Sequence, residues 1–149
     1  MGWLRALVRC PPRLHVAIDE GAGPVVLLLH GIASSSVTYE NVVPLIVERH
    51  RVIAIDLLGF GESPPGLRYT VEEHVAALHR TLRGLRVAGP AVLVGHSMGA
   101  IIAARLAAEH PRRIGRLVLV SPPVYFSPDE VSDLRDRAAM GLYYRAYEF

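Results

Sequence analysis

The sequence predicts an α/β fold built on a mostly parallel sheet flanked by helices, and three observations lead there. Four short runs, 25–29, 52–55, 91–94 and 117–120, contain only apolar residues. Uninterrupted runs of strand length point to burial on both faces of a sheet, as in parallel strands covered by crossover helices. Helix-like segments fill the gaps between the runs, as such crossovers require. Finally, the 149 residues are 51% hydrophobic and 20% charged. That composition suits one packed domain, of a size that buries about 70% of its unfolded surface, and excludes a disordered or fibrous chain.

Residues 14–18 alternate apolar and polar before the turn signal Gly21-Ala22-Gly23-Pro24, which predicts a partly exposed strand at a sheet edge. The stretch 39–48 is less regular. Pro44 forbids one uninterrupted helix there and fits as the first residue of a short one. Thr70-Val71-Glu72-Glu73 has the form of a capping box, with Thr70 accepting from the N3 amide and Glu73 reaching back. A helix over 71–83 follows, with Gly84 as its stop. Between Met98 and Glu109 only Arg105 and Glu109 are charged, which predicts a central, buried helix ended by Pro111. Ser127-Pro128-Asp129-Glu130 is a second capping box, and Val131, Leu134, Ala138 and Leu142 recur behind it at helical spacing.

Several function classes lack support. The charge balance is +2, all 16 cations are arginine, and no run of five like charges occurs. The basic residues are not interleaved with aromatics, so no nucleic-acid partner is expected. No apolar stretch approaches the roughly 18 residues of a membrane span. Arg5 and Arg9 interrupt the N-terminal apolar residues, and Ala6 stands where a myristoylation motif needs Ser or Thr. The expected location is cytoplasmic. Cys10 is the only cysteine, so no internal disulfide or cysteine-based metal site is available. No cofactor and no metal are called for.

The chemistry concentrates at Gly95-His96-Ser97-Met98-Gly99, directly after an apolar run and directly before the buried helix. A serine at a sharp strand-to-helix turn is forced into a strained backbone, and residues two before and two after must be small to avoid collision. Gly95 and Gly99 meet that condition. Such a turn exposes the serine hydroxyl at a helix N-terminus, where the dipole and free amides favour a developing negative charge. The plain alternative is a tight structural turn.

Two further motifs stand at the ends of predicted strands: His30-Gly31-Ile32 after the first run, and Asp56-Leu57-Leu58-Gly59-Phe60-Gly61-Glu62-Ser63 after the second. With the serine turn they occur in the order seen in the α/β-hydrolase superfamily. The chain resembles that family's serine-nucleophile, esterase/lipase-like branch over about 14–122. The resemblance implies Ser97 as nucleophile and the backbone amides of Ile32 and Met98 as the oxyanion hole. It gives His30, Gly31, Gly95, His96 and Gly99 supporting places in the turn and loop. It also implies that Asp56 holds its loop by side-chain hydrogen bonds instead of catalysing. Gly59-Phe60-Gly61 lacks the third glycine of a dinucleotide fingerprint, because Pro64 stands in its place.

A serine nucleophile needs a base, and the base an orienting acid. In the family these partners follow later strands, whereas His110 is the only histidine after Ser97. At about 1.5 Å per helical residue it lies roughly 20 Å away. His74 and His79 fall in the helix after Thr70, which should run away from the mouth. The triad acid and histidine are thus expected outside this chain, which reads as an N-terminal portion: 1–126 a partial hydrolase core, truncated before the last strands, and 127–149 the start of a cap helix. Tyr143, Tyr144, Tyr147 and Phe149 would then be unfinished core or pocket wall. The last apolar run would be an unpaired sheet edge, open to self-association or to a complementary chain. Arginines cluster at predicted helix ends, away from Ser97, leaving a mouth suited to a small neutral or apolar carbonyl substrate. A catalytically inactive scaffold or interaction module is the competing reading.

Overall fold

The computed structural model of the chain describes residues 10–87 and 89–123. Five strands form one sheet: β1 (Val16–Glu20), β2 (Val25–Leu29), β3 (Arg51–Ile55), β4 (Ala91–His96) and β5 (Ile114–Val120), in the spatial order β1-β3-β2-β4-β5. β1 runs antiparallel to β3, and all other pairs are parallel. Leu27 stands opposite both Ile53 and Leu93, which puts the most apolar residues at the centre of the sheet. The edge strand expected over 14–18 is β1, displaced toward Glu20. Its ladder starts with Val16 opposite Ile55, because the Leu14 amide is already committed to Thr81 Oγ1 at 2.8 Å.

The helices are α1 (Val43–Ile46), α2 (Val71–Gly84) and α3 (Met98–Glu109), with a 3-10 turn at Ser36–Tyr39. Pro44 lies in the first turn of α1, where its missing N–H costs nothing. On one face of the sheet, Leu27, Leu29, Ile53, Ile55 and Leu93 pack with Leu78 and Leu82 of α2 and Ile102 and Leu106 of α3. Each such buried side chain contributes about 1.5–3 kcal/mol. On the other face Val26, Leu28, Val52 and Ala54 meet Tyr39 and Val43.

Three expectations need correcting. Gly84 is the last residue of α2, not its stop. The left-handed turn falls two residues later at Arg86 (φ 52°), after Leu85 has bonded back to Thr81 O. Glu73 does not close a reciprocal capping box. Thr70 Oγ1 accepts from the Glu73 amide at 3.2 Å, but the Glu73 carboxylate receives the N–H groups of Leu67, Arg68 and Tyr69 at 2.7–2.9 Å. It orders the loop entering the helix instead of the cap itself. Third, the run Leu117–Val120 is not buried on both faces. These four residues are 38–44% exposed, because β5 has a neighbour only on its β4 side among the described residues. The helix expected from 127, the cap over 127–149 and the aromatic tail lie outside the described residues. Among the described residues no helix is long and apolar enough to cross a membrane.

Candidate active site

Ser97 occupies the junction of β4 and α3 with φ 51° and ψ −119°. L-residues rarely adopt this conformation, which costs of order 1–3 kcal/mol and persists only where the surroundings impose it. They do so here from both sides. The Ser97 amide donates to Val120 O of β5 at 2.9 Å, and Ser97 O accepts from the Ala100 amide at 2.9 Å. Sterics close the turn. A Cβ on Gly95 would lie 2.4 Å from Gly99 O, and one on Gly99 would lie 2.4 Å from His30 O. The small residue at 95 is therefore demanded across the turn, and the one at 99 by the end of β2. Ser97 is partly exposed, while Met98, Gly99 and Ala100 behind it are buried.

The loop after β2 is drawn against this turn. At Gly31 a Cβ would come within 3.1 Å of Ser97 Cβ and 3.0 Å of His96 Nδ1, so a side chain there would need these neighbours to give way by a few tenths of an ångström. The loop's anchor is His30, which is fully buried. Its Nδ1–H donates to Gly31 O at 2.6 Å and its Nε2 accepts the Leu57 amide at 2.9 Å. Burial holds its pKa below 6.5 against the opposing influence of the Gly31 bond and the Asp56 charge. A neutral ring with Nδ1 protonated is the form that makes both bonds. Phe60 meets the ring edge-on, with centroids 5.7 Å apart. Ile32 follows Gly31, and Ala33 turns the chain away at φ 52°. Among the described residues, neither the Ile32 nor the Met98 amide donates to a main-chain carbonyl. Met98 is the first residue of α3, where a helix has no internal acceptor to offer. The Met98 amide follows Ser97 directly, and Ile32 follows Gly31, whose backbone passes beside Ser97 Cβ.

Asp56 is a structural hub. Its Oδ1 accepts the amide and hydroxyl of Ser36, each at 2.8 Å, and its Oδ2 accepts the Glu62 amide at 3.1 Å and His15 Nδ1 at 2.9 Å. Burial alone would raise its pKa, but these hydrogen bonds outweigh it and hold the carboxyl at about 2. The sequence singled out neither Ser36 nor Tyr39, whose buried hydroxyl donates to Leu29 O at 2.7 Å and is pushed up to about 12 by burial. The signal available was the triple serine 34–36, placed one turn after the His-Gly pair.

The other histidines lie elsewhere. His110 caps the far end of α3 and stacks on His79 of α2 at 4.0 Å. His74 is buried in α2, with neither ring nitrogen hydrogen-bonded. His15 pairs with Asp56, and His50 Nδ1 bonds to Ile46 O. Among the described residues no three His, Cys, Asp or Glu side chains gather where they could hold a metal ion.

The chain is similar to known proteins over most of its length. Over 107 residues the chain is 33% identical to a 2-hydroxy-6-oxo-6-(2'-aminophenyl)hexa-2,4-dienoic acid hydrolase of Metapseudomonas resinovorans, covering 69% of this chain and 37% of that protein. It is also 33% identical over 137 residues to a pimeloyl-[acyl-carrier protein] methyl ester esterase of Aeromonas hydrophila, covering 87% and 50%. A marine microorganism esterase superposes with a TM-score of 0.75 at 21% identity, over 88% of this chain and 49% of that one. That likeness speaks to fold alone. The chain thus spans half or less of the length of each of these relatives. A family model of the α/β hydrolase fold matches residues 24–148, and the chain belongs to that family.

Proposed function

We propose that this chain carries the nucleophile and oxyanion hole of a serine hydrolase acting on small neutral or apolar esters or related carbonyl compounds. The strained turn at Ser97, closed by Gly95 and Gly99 and approached by the backbone of Gly31, is the observation that supports this reading most. In the first step Ser97 Oγ bonds to the carbonyl carbon as a base takes its proton, and the two amides receive the charge on the carbonyl oxygen. The carbonyl then re-forms and expels the leaving group, which takes the proton. Water repeats the sequence on the acyl-serine and releases the acid, restoring Ser97.

The base and its acid lie outside the described residues. His30 has both nitrogens engaged, His110 stands at the opposite end of α3, and Asp56 is spent on four hydrogen bonds. β5 offers an apolar edge where a complementary polypeptide or a second copy would pair. We place the protein in the cytoplasm, with no nucleic-acid partner and no cofactor, in keeping with its lone cysteine and with basic residues that are not interleaved with aromatics.

Short-chain p-nitrophenyl esters test the reading with the full-length polypeptide. Ser97→Ala should lower kcat/KM by at least about 10³-fold while leaving the circular dichroism spectrum unchanged. Unchanged hydrolysis in that variant would overturn Ser97 as nucleophile, and a folded parent that hydrolyses none of these esters would leave the scaffold reading.

A further inference from the structure

α2 leaves the carboxyl end of β3 and runs back along the sheet, so its last turns lie at the end remote from Ser97. The stacking of His79 on His110, beyond the last turn of α3, fixes that placement. Here an open groove of about 550 Å³ is lined by Arg13, His79, Arg80 and Arg83, with Cys10 and Gly84 at its sides.

The arginines converge by construction. Leu14 is buried and its amide donates to Thr81 Oγ1, which in turn donates to Ala77 O at 2.8 Å. That chain of bonds fastens the backbone of Arg13 against α2. The guanidinium of Arg13 lies over Gly84, where a Cβ would be 3.2 Å from its Cζ, so the bare glycine leaves room for it. Arg80 donates to Cys10 Sγ across the groove.

Among the described residues no carboxylate is paired with these arginines: the ion pairs engage His15, Arg51 and Arg105, and none reaches Arg13, Arg80 or Arg83. Burial first, and then the neighbouring His110, Arg113 and Arg83, hold His79 below its ordinary pKa. The nearby Glu109 is already held by Arg105 at 2.6 Å. Complementing a helix C-terminus accounts for Arg83 in the last turn of α2, but not for Arg13, which comes from a different segment. Uncompensated like charges held together destabilise a fold unless a counter-charge relieves them. Guanidinium forks match phosphate oxygens two at a time, and a concavity of this volume suits a small molecule.

We propose that this groove binds a phosphate-bearing small molecule on Arg13, Arg80 and Arg83, at a site separate from Ser97. Isothermal titration calorimetry of the full chain with inorganic pyrophosphate at low ionic strength tests it. Saturable one-to-one binding is expected, weakening at least tenfold in Arg13→Gln and in the double variant Arg80→Gln/Arg83→Gln. Arg68→Gln, before the start of α2 and outside the groove, should bind as the parent does. Absence of saturable binding would overturn the proposal, as would equal affinity in the groove variants or an equal loss in Arg68→Gln. Ester hydrolysis at Ser97 is a separate readout, so neither result depends on the other.

Discussion

The amide of Ser97 is hydrogen-bonded to the carbonyl of Val120, 2.9 Å away at the end of β5. The strained turn is therefore fastened to β5, one of the two edge strands, whose outer side lacks a neighbour among the described residues. Edge and site are joined by backbone, not by side chains. Val118→Lys, at a position 44% exposed, should raise the concentration at which the protein self-associates by about tenfold or more, since a charge on an edge strand opposes pairing. It should leave the reactivity of Ser97 intact, because the Val120 carbonyl remains. Sedimentation velocity across a concentration series, beside an esterase assay, checks both halves.

His74 should dominate the response to mild acid. Burial, opposed by Glu73 and reinforced by His30, pushes its pKa down from 6.5 to about 4. The unfolded chain takes up a proton near pH 6.5 that the folded chain refuses until about pH 4. Stability from this group is thus complete above 6.5 and lost as pH falls through that window, by about 3 kcal/mol in all. Neither ring nitrogen has a hydrogen-bond partner, so His74→Leu removes no bond. It should be neutral or stabilising at pH 7, and should flatten urea midpoints measured between pH 6.5 and 4.5.

Much of this architecture was legible in the sequence because it rests on local rules. The four apolar runs, the proline in α1 and the glycines around Ser97 each respond to neighbours close in the chain. What was not legible depends on distant partners. Glu73 was expected to serve its own helix, and instead orders the amides of Leu67, Arg68 and Tyr69. Gly84 looked like a stop, yet it stays helical and makes room for Arg13, 71 residues earlier. The apolarity of Leu117–Val120 implied burial on both faces, while its place as the last run marked it as an unpaired edge; the edge is what the sheet order has, and the residues are exposed. Ser36 and Tyr39 gave no periodic signal, since they act through Asp56 and Leu29.

Asp56 should behave as a structural residue. Asp56→Ala leaves four donors, from Ser36, Glu62 and His15, without their acceptor, and should cost about 2–4 kcal/mol in urea unfolding. Asp56→Asn, which keeps one oxygen for Ser36, should cost about half as much. In the folded Asn variant ester hydrolysis should fall far less than in Ser97→Ala, because Asp56 touches no reacting atom.

Gly99→Ala should be among the most damaging single-methyl additions in the chain. The new Cβ would sit 2.4 Å from His30 O and 2.5 Å from Leu29 O, both backbone atoms that cannot swing aside. A loss of about 2 kcal/mol or more is expected in thermal unfolding, with α3 displaced from the end of β2. At exposed Gly89, where a Cβ would meet nothing within 4 Å but φ is 81°, the penalty should be only the conformational one, about 1 kcal/mol.

The most direct measurement is peptide mapping after treatment of the full-length protein with a fluorophosphonate probe. If Ser97 is the nucleophile proposed above, its hydroxyl should carry the phosphonyl group. The adduct should sit on the peptide containing Ser97, and heat-unfolded protein should give none. An adduct confined to another residue, or no adduct in a sample shown to be folded, would contradict the assignment of Ser97 as nucleophile.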